Sequence, residues 1–241
     1  MTRQVLIIKT GSSVSAAGDR FGDFDDWFID NIGRDRFRFT TISVHEGRKL
    51  PSDLGTVDGV VITGSPAMVS HRHDWSEKAA EWLVGAYEAE KPMLGVCYGH
   101  QLIAHALGGR VGPNPHGRRM GTLAVEILDA SDPLLGPFVP RQFFQATHVE
   151  AVLEPPPRAV VIARANGDPH HGLYFGKLAW GLQFHPEFDV EIMDCYIRAR
   201  ASVLEGEGIH TDALLKTLQA TPSGPRVLRR FADLIENAES T

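Results

Sequence analysis

The sequence predicts an α/β fold of three layers, a mainly parallel sheet with helices on both faces, and an antiparallel strand region added to it. Three observations predict this. In the first half of the chain, short apolar runs alternate with segments of helical periodicity, the pattern of parallel strands joined by crossover helices. The clearest runs are continuously apolar rather than alternating, as strands covered on both faces are. From about Gly121 to Phe184 the helical pattern stops, and strands follow one another with turns between them.

The elements follow in order. Residues 5–8, Val-Leu-Ile-Ile, form the first strand. Phe24, Trp27, Phe28 and Ile32 recur at helical spacing, with Gly33 where such a helix would end. Phe37, Phe39 and Thr41 alternate with polar neighbours as a second strand, and residues 58–62 form a third, stopped by Thr63-Gly64-Ser65-Pro66. Ala79, Trp82, Leu83, Ala86 and Tyr87 make a helix stripe ended by Pro92. A strand over 93–96 and a helix over 101–107 come next, the latter closed by Gly108-Gly109. Beyond them lie strands over 123–128, 142–152, 159–163 and 173–183, with a hairpin corner at 174–178. A polar, helical segment follows Phe188.

The chain has 241 residues, 43% hydrophobic and 22% charged. That length and composition suit one globular domain spanning 1–241, with a core that needs no disulfide or metal to fold. With 24 Lys and Arg against 30 Asp and Glu, the net charge is −6. An acidic chain without a basic cluster argues against nucleic acid as a partner. No stretch reaches the roughly 18 apolar residues of a membrane span, and the N-terminal apolar run is too short for a secretory core. Cys97 and Cys195 are therefore expected as free thiols in a cytoplasmic protein.

The sharpest chemical feature is Gly95-Val96-Cys97-Tyr98-Gly99, set between a predicted strand and a predicted helix. A G-x-nucleophile-x-G turn bends tightly and presents its central side chain above the sheet at a helix N-terminus. The unpaired N–H groups and dipole there favour the thiolate. An intracellular cysteine is ordinarily packed in a core; the paired glycines and the strand–helix context favour a presented nucleophile here. His185-Pro186-Glu187 leaves an apolar strand, so an imidazole and a carboxylate two residues apart can face the same side. Together these residues supply nucleophile, base and orienting acid.

Gly95-Val96-Cys97-Tyr98-Gly99-His100-Gln101, Thr63-Gly64-Ser65-Pro66 and Gln183-Phe184-His185-Pro186-Glu187 resemble, in order and spacing, the three signatures of class I glutamine amidotransferases. The resemblance covers a core of about 5–190, leaving 191–241 as a helical extension. It implies a flavodoxin-like fold and hydrolysis of the γ-amide of glutamine through a γ-glutamyl thioester. Within it, Cys97 is the nucleophile, His185 the general acid and base, and Glu187 its orienting partner. The backbone N–H groups of Ser65 and Tyr98 form the oxyanion hole, and Gly64 beside them belongs to the substrate-binding residues. Gln101 and the Thr147-His148-Val149 stretch hold the substrate. No cofactor and no metal are implied. The layout is most similar to the stand-alone glutaminase part of GMP synthetases. Where members commonly have Gly-Pro, this chain has Ser65-Pro66, which keeps a backbone donor. Where members often have a glycine after the histidine, it has Val149-Glu150, a change that bears on the preferred donor. A γ-glutamyl peptidase with the same triad is the alternative enzyme, and delivery of ammonia in trans to a separate synthetase is the alternative role.

The remaining motifs carry less. Gly11 to Gly18 lacks the dinucleotide spacing, and the Gly172 to Lys177 stretch misses the phosphate-loop spacing. His71/His73 and His170/His171 read as solvated loop histidines without a ligand pattern. His100 reads as local structure near the site, Cys195 as helix packing, and Arg229-Arg230 as a solvated helix face.

Overall fold

The computed structural model describes residues 2–238. In chain order its strands are β1 (Gln4–Lys9), β2 (Arg38–Ser43), β3 (Gly59–Ile62), β4 (Met93–Val96), β5 (Arg110–Pro113), β6 (Arg119–Ile127), β7 (Arg141–His148), β8 (Glu150–Glu154), β9 (Val160–Ala165), β10 (Asp168–Gly176) and β11 (Ala179–Leu182). Its helices are α1 (Ser15–Phe21), α2 (Phe24–Ile32), α3 (Asp74–Glu88), α4 (Tyr98–Ala106), α5 (Val190–Ala199), α6 (Ala201–Gly206), α7 (Thr211–Thr217) and α8 (Ser223–Asn237).

Nine strands form one sheet in the order β2-β1-β3-β4-β11-β10-β9-β6-β7. The pairings from β2 through β11 are parallel, and those from β11 through β7 are antiparallel. The switch falls at β11, which pairs parallel with β4 and antiparallel with β10. A continuous apolar run becomes a two-faced strand because successive side chains point to opposite faces. Val5 and Ile7 join one core cluster with Phe28 and Ile32 of α2, while Leu6 and Ile8 join another with Leu83 of α3 and Leu102 of α4. Helix α2 opens on a capping box, in which Asp23 and Asp26 satisfy each other's backbone N–H groups.

Three elements differ from the sequence expectation. Helix α1 buries only Ala17 and has no side-chain cap, so it offers no apolar stripe to read. The strand expected over 142–152 is two strands, because the chain changes partner at Val149. There β7 ends in the main sheet and β8 pairs with β5 in a second, two-stranded sheet. Strand β5 itself escapes notice because Gly112 and Pro113 are turn-type residues.

The polar C-terminal segment is not a mere appendage. Val227, Leu228, Phe231, Ala232 and Ile235 of α8 are fully buried in the same cluster as Val5 and Val61. Arg229 is exposed as expected, but Arg230 donates to the carbonyls of Leu134 and Pro133. Phe231→Ala should therefore cost about 3–5 kcal/mol, and Arg229→Ala less than about 0.5 kcal/mol, measured by urea unfolding.

Candidate active site

The parallel register brings three strand ends level. Ile62 of β3 pairs with Gly95 of β4, and Gly95 and Val96 pair with Gly181 and Leu182 of β11. The residues leaving those strands are Thr63-Gly64-Ser65, Cys97 and Gln183-Phe184-His185. They meet in a crevice beyond the carboxyl ends of the strands, where open α/β sheets bind ligands. Cys97 N–H donates to the Leu182 carbonyl at 2.8 Å, and Gly99 N–H to that of Thr63 at 3.2 Å, fastening the turn to both neighbours.

Cys97 has φ 53° and ψ −102°, a strained conformation for a side-chain-bearing residue. Such strain costs of order 1–3 kcal/mol and persists where the surroundings impose it. The flanking glycines permit the imposition, since a Cβ on Gly95 would strike the Gly99 backbone and one on Gly99 the Ile62 carbonyl. Helix α4 begins at Tyr98, so Cys97 stands at its N-cap, beside N–H groups without intrahelical partners. Its Sγ lies 3.6 Å from the Thr147 carbonyl.

His185 is clamped in place. Its ring stacks on Phe188 at 4.1 Å between centroids and on Phe24 at 6.2 Å, and its backbone N–H donates to the Gln145 carbonyl. Nδ1 lies 2.7 Å from Glu187 Oε1, both residues being buried. Among the described residues Nε2 has no hydrogen-bond partner within bonding distance, which leaves it for the reaction with Cys97 nearby. Burial works to lower the imidazole pKa, but the charges of Glu187 and of the Cys97 sulfur outweigh it and push His185 up to about 10. Gly64 lies against the same ring, where a Cβ would sit 2.9 Å from Cε1.

The loop over 63–66 is fastened to the end of β1. Thr10 Oγ1 donates to the Thr63 and Gly64 carbonyls, and Ser65 Oγ donates to the Thr10 carbonyl at 2.7 Å. Around Cys97 the cleft has two lobes. One is lined by Ser65, Tyr98, Gln101, Thr147, His148, Val149, Glu150, Arg118 and Arg200, and the other by Phe24, His185, Tyr196 and Arg200 among others. Gln101 Nε2 is committed to the Glu150 carbonyl and Gln183 Oε1. His148 lines the first lobe while its ring turns inward, with Nδ1 2.9 Å from the Glu150 carbonyl. A larger open groove touches Glu187 from the far side but contains neither Cys97 nor His185. Among the cleft residues that sequence reasoning missed are Arg118, Glu150, Tyr196 and Arg200. Of these only Glu150 carried a signal, as a carboxylate next to an expected contact.

The family model for class I glutamine amidotransferases matches residues 23–201. This chain belongs to the class I glutamine amidotransferases. It is similar to a glutamine-hydrolysing GMP synthase subunit of Halobacterium salinarum, at 33% identity over 61% of this chain and 75% of that one. It is also similar to γ-glutamyl peptidase 5 of Arabidopsis thaliana, at 29% identity over 79% and 78%. Of the Aeropyrum pernix GMP synthase, 39% identical over 54% of this chain, the match spans only 24%. Among solved structures, a glutamine amidotransferase from Thermotoga maritima superposes with a TM-score of 0.79 at 23% identity, over 99% of this chain and 100% of that one. That likeness establishes the shared fold.

Beneath the cleft this amidotransferase carries a buried group that corrects the reading of His170 and His171 as solvated loop residues. Both lie on β10; His171 is fully buried, and its Nδ1 is 2.9 Å from Asp168 Oδ2, with His148 Nε2 3.8 Å from the same oxygen. The three offer ligand atoms within 4.8 Å of one another. Asp168 is already committed, since its Oδ2 holds His171 Nδ1 and its Oδ1 accepts from the His170 backbone, while among the described residues the Nε2 atoms of His148 and His171 meet no hydrogen-bond partner. The sequence hid it because the pairing runs across strands as well as along one. His100 packs on Gly181 and Phe175, fully buried. Cys195 is buried among helix residues, as expected.

Burial pushes His100 down to about 4 and, with help from neighbouring His171, His148 down to about 3. Burial works to raise the Asp168 pKa, but the His171 hydrogen bond and charge hold it at about 2. Groups with depressed native values lose stability as pH falls from the ordinary value toward the native one, here from 6.5 toward 4 and 3. His185, raised, acts oppositely: its contribution is complete below 6.5 and is lost as pH climbs to about 10. Thermal unfolding should thus be highest near neutrality, with Tm falling by roughly 5 °C or more toward pH 4 and again toward pH 10. A Tm unchanged between pH 7 and 4 would contradict the buried neutral histidines.

Proposed function

We propose that the protein is a self-sufficient cysteine hydrolase of γ-glutamyl amides, in which Cys97, His185 and Glu187 form the triad. The observation that carries this reading is the strained Cys97 turn facing an imidazole whose other nitrogen is held by a buried carboxylate. The Cys97 thiolate attacks the γ-carbonyl carbon, and the oxyanion is received by the N–H groups of Ser65 and Tyr98. As the C–N bond breaks, His185 gives its proton to the leaving nitrogen, leaving a γ-glutamyl thioester. His185 then takes a proton from water, which attacks the thioester; the C–S bond breaks, glutamate is released, and the Cys97 thiolate and His185 imidazolium are restored. Glu187 keeps the imidazole oriented and stabilises its charge. Gln101 and the 147–149 backbone hold the glutamyl end. A reducing compartment such as the cytoplasm keeps Cys97 available for this chemistry. The whole chain serves as one catalytic unit, the helices after residue 190 completing the cleft.

Two donor classes suit this site, glutamine and γ-glutamyl peptides, in keeping with relatives named as glutamine-hydrolysing GMP synthase subunits and as γ-glutamyl peptidases. The anchoring of residues 63–66 to Thr10 favours a chain that acts alone over one that waits for a synthetase to dock. A loop ordered by its own chain does not need a docked partner to set its donors, and Pro66 restricts it further.

Three measurements test the reading. Cys97→Ala should lower turnover by on the order of 10⁴-fold or more with melting little changed, His185→Gln should be nearly as severe, and Glu187→Gln milder. A Cys97→Ala variant with wild-type glutamate release would end the nucleophile assignment. A chloroketone analogue of glutamine should label Cys97 in preference to Cys195, read by peptide mapping. The purified protein should release glutamate from a γ-glutamyl donor with no partner present; turnover seen only after adding a synthetase would favour the ammonia-delivering role instead.

A further inference from the structure

Arg200 stands at the junction of α5 and α6 and lines both lobes of the cleft together with Cys97. It differs from the other guanidinium of the cleft. Arg118 is spent on Glu207, with two hydrogen bonds of 2.8 and 2.9 Å. Among the described residues no carboxylate lies within ion-pairing distance of Arg200; its guanidinium carbon sits 5.1 Å from the centre of the Tyr196 ring instead. Burial lowers its pKa, the Arg118 cation adds to that, and the Tyr196 and Cys97 charges oppose it. A half-buried cation without a counter-ion is less stable than one holding an anion, and a planar fork of donors suits a carboxylate.

The two lobes differ in what they can hold. The first carries Gln101, Val149 and the buried carboxylate of Glu150, whose charge matches the α-ammonium of a glutamyl group. The second offers about 130 Å³ and is lined by His185, Phe24, Tyr196 and Arg200. Among the described residues lining it, Arg200 is the one cation outside the triad. In the proposed reaction His185 hands its proton to the leaving nitrogen, so the leaving group departs into this second lobe. Ammonia, the size of a water, needs roughly 10–15 Å³ of such space and would leave most of the lobe empty.

We propose that Arg200 binds a carboxylate on the leaving amine, so that the physiological donor is a γ-glutamyl amino acid rather than free glutamine. The proposal rests on the Cys97–His185 reading above. The balance is simple: the γ-carbonyl C–N bond breaks as the Sγ–C bond forms, His185 protonates the nitrogen, and a free amino acid leaves with its carboxylate on Arg200. Water then releases glutamate.

The test compares kcat/KM for γ-glutamylglycine, γ-glutamylglycinamide and glutamine, following free glutamate, in the wild type and in Arg200→Gln and Arg200→Lys. Wild type should prefer γ-glutamylglycine over its uncharged amide by about 10–100-fold, the range of one charge-assisted pair. Arg200→Gln should bring that ratio within about threefold, and Arg200→Lys should restore part of it. Comparing donors on the wild type alone remains decisive should a variant fold poorly. A wild type that treats both dipeptide donors alike overturns the proposal, as does a preference that survives in Arg200→Gln. An equal loss on all three donors overturns it too, because Arg200 would then hold the α-carboxylate. If no donor yields glutamate and the chloroketone leaves Cys97 unlabelled, the hydrolase reading falls together with this one. Hydrolysis without carboxylate preference removes this inference alone.

Discussion

The pairing of β4 between two parallel neighbours is the constraint on which the rest of the site depends. Because β3, β4 and β11 run the same way in register, three segments far apart in sequence leave the sheet at one level. Cys97 N–H completes the ladder with Leu182, and three residues later the β11 chain delivers His185. A shift of one residue in β11 would turn its whole set of side chains to the opposite face and remove the imidazole from the sulfur. The antiparallel half of the sheet supports this arrangement from one side, with Gln145 of β7 holding the His185 backbone.

Charge is arranged around that frame in two layers. In the upper layer Glu187 and Cys97 keep His185 cationic despite its burial, and the stacked rings of Phe24 and Phe188 keep it from turning. In the lower layer His100 and His148 stay neutral because no anion offsets their desolvation to the same extent. The difference between the layers lies in proximity to a carboxylate. His185 has one at 2.7 Å, whereas His148 is 3.8 Å from an Asp168 oxygen already bonded to His171. The imidazoles share an environment that is equally dry and differ in their partners.

What could be read from sequence was what is written locally. The strand at residues 5–8 and the turn around Cys97 are each specified by adjacent residues, so periodicity and glycine placement exposed them. The capped helix over 24–32 was legible from its apolar spacing alone. The break at Val149 was not, because apolar character continues through it and only a change of pairing partner marks it. The burial of His171 was hidden for a related reason: Asp168 lies three residues before it, but His148 comes from another strand. Arg200 lies in the polar, helical segment after Phe188 with no motif around it. Its position depends on α5 folding back over the strand ends, which nothing near residue 200 announces.

The helices after β11 bring a division of labour within the molecule. Residues that fix the sheet register and the nucleophile turn lie in strands and their immediate exits, where nearly every neighbour is backbone or core. The residues that give the cleft its far wall, Arg200 and the Arg118–Glu207 pair, depend largely on α5, α6 and their ends. A substitution there can alter the charge presented to a ligand without disturbing any strand pairing. The charge that a ligand meets at this border is therefore set by helix ends that share no strand register with the reactive centre.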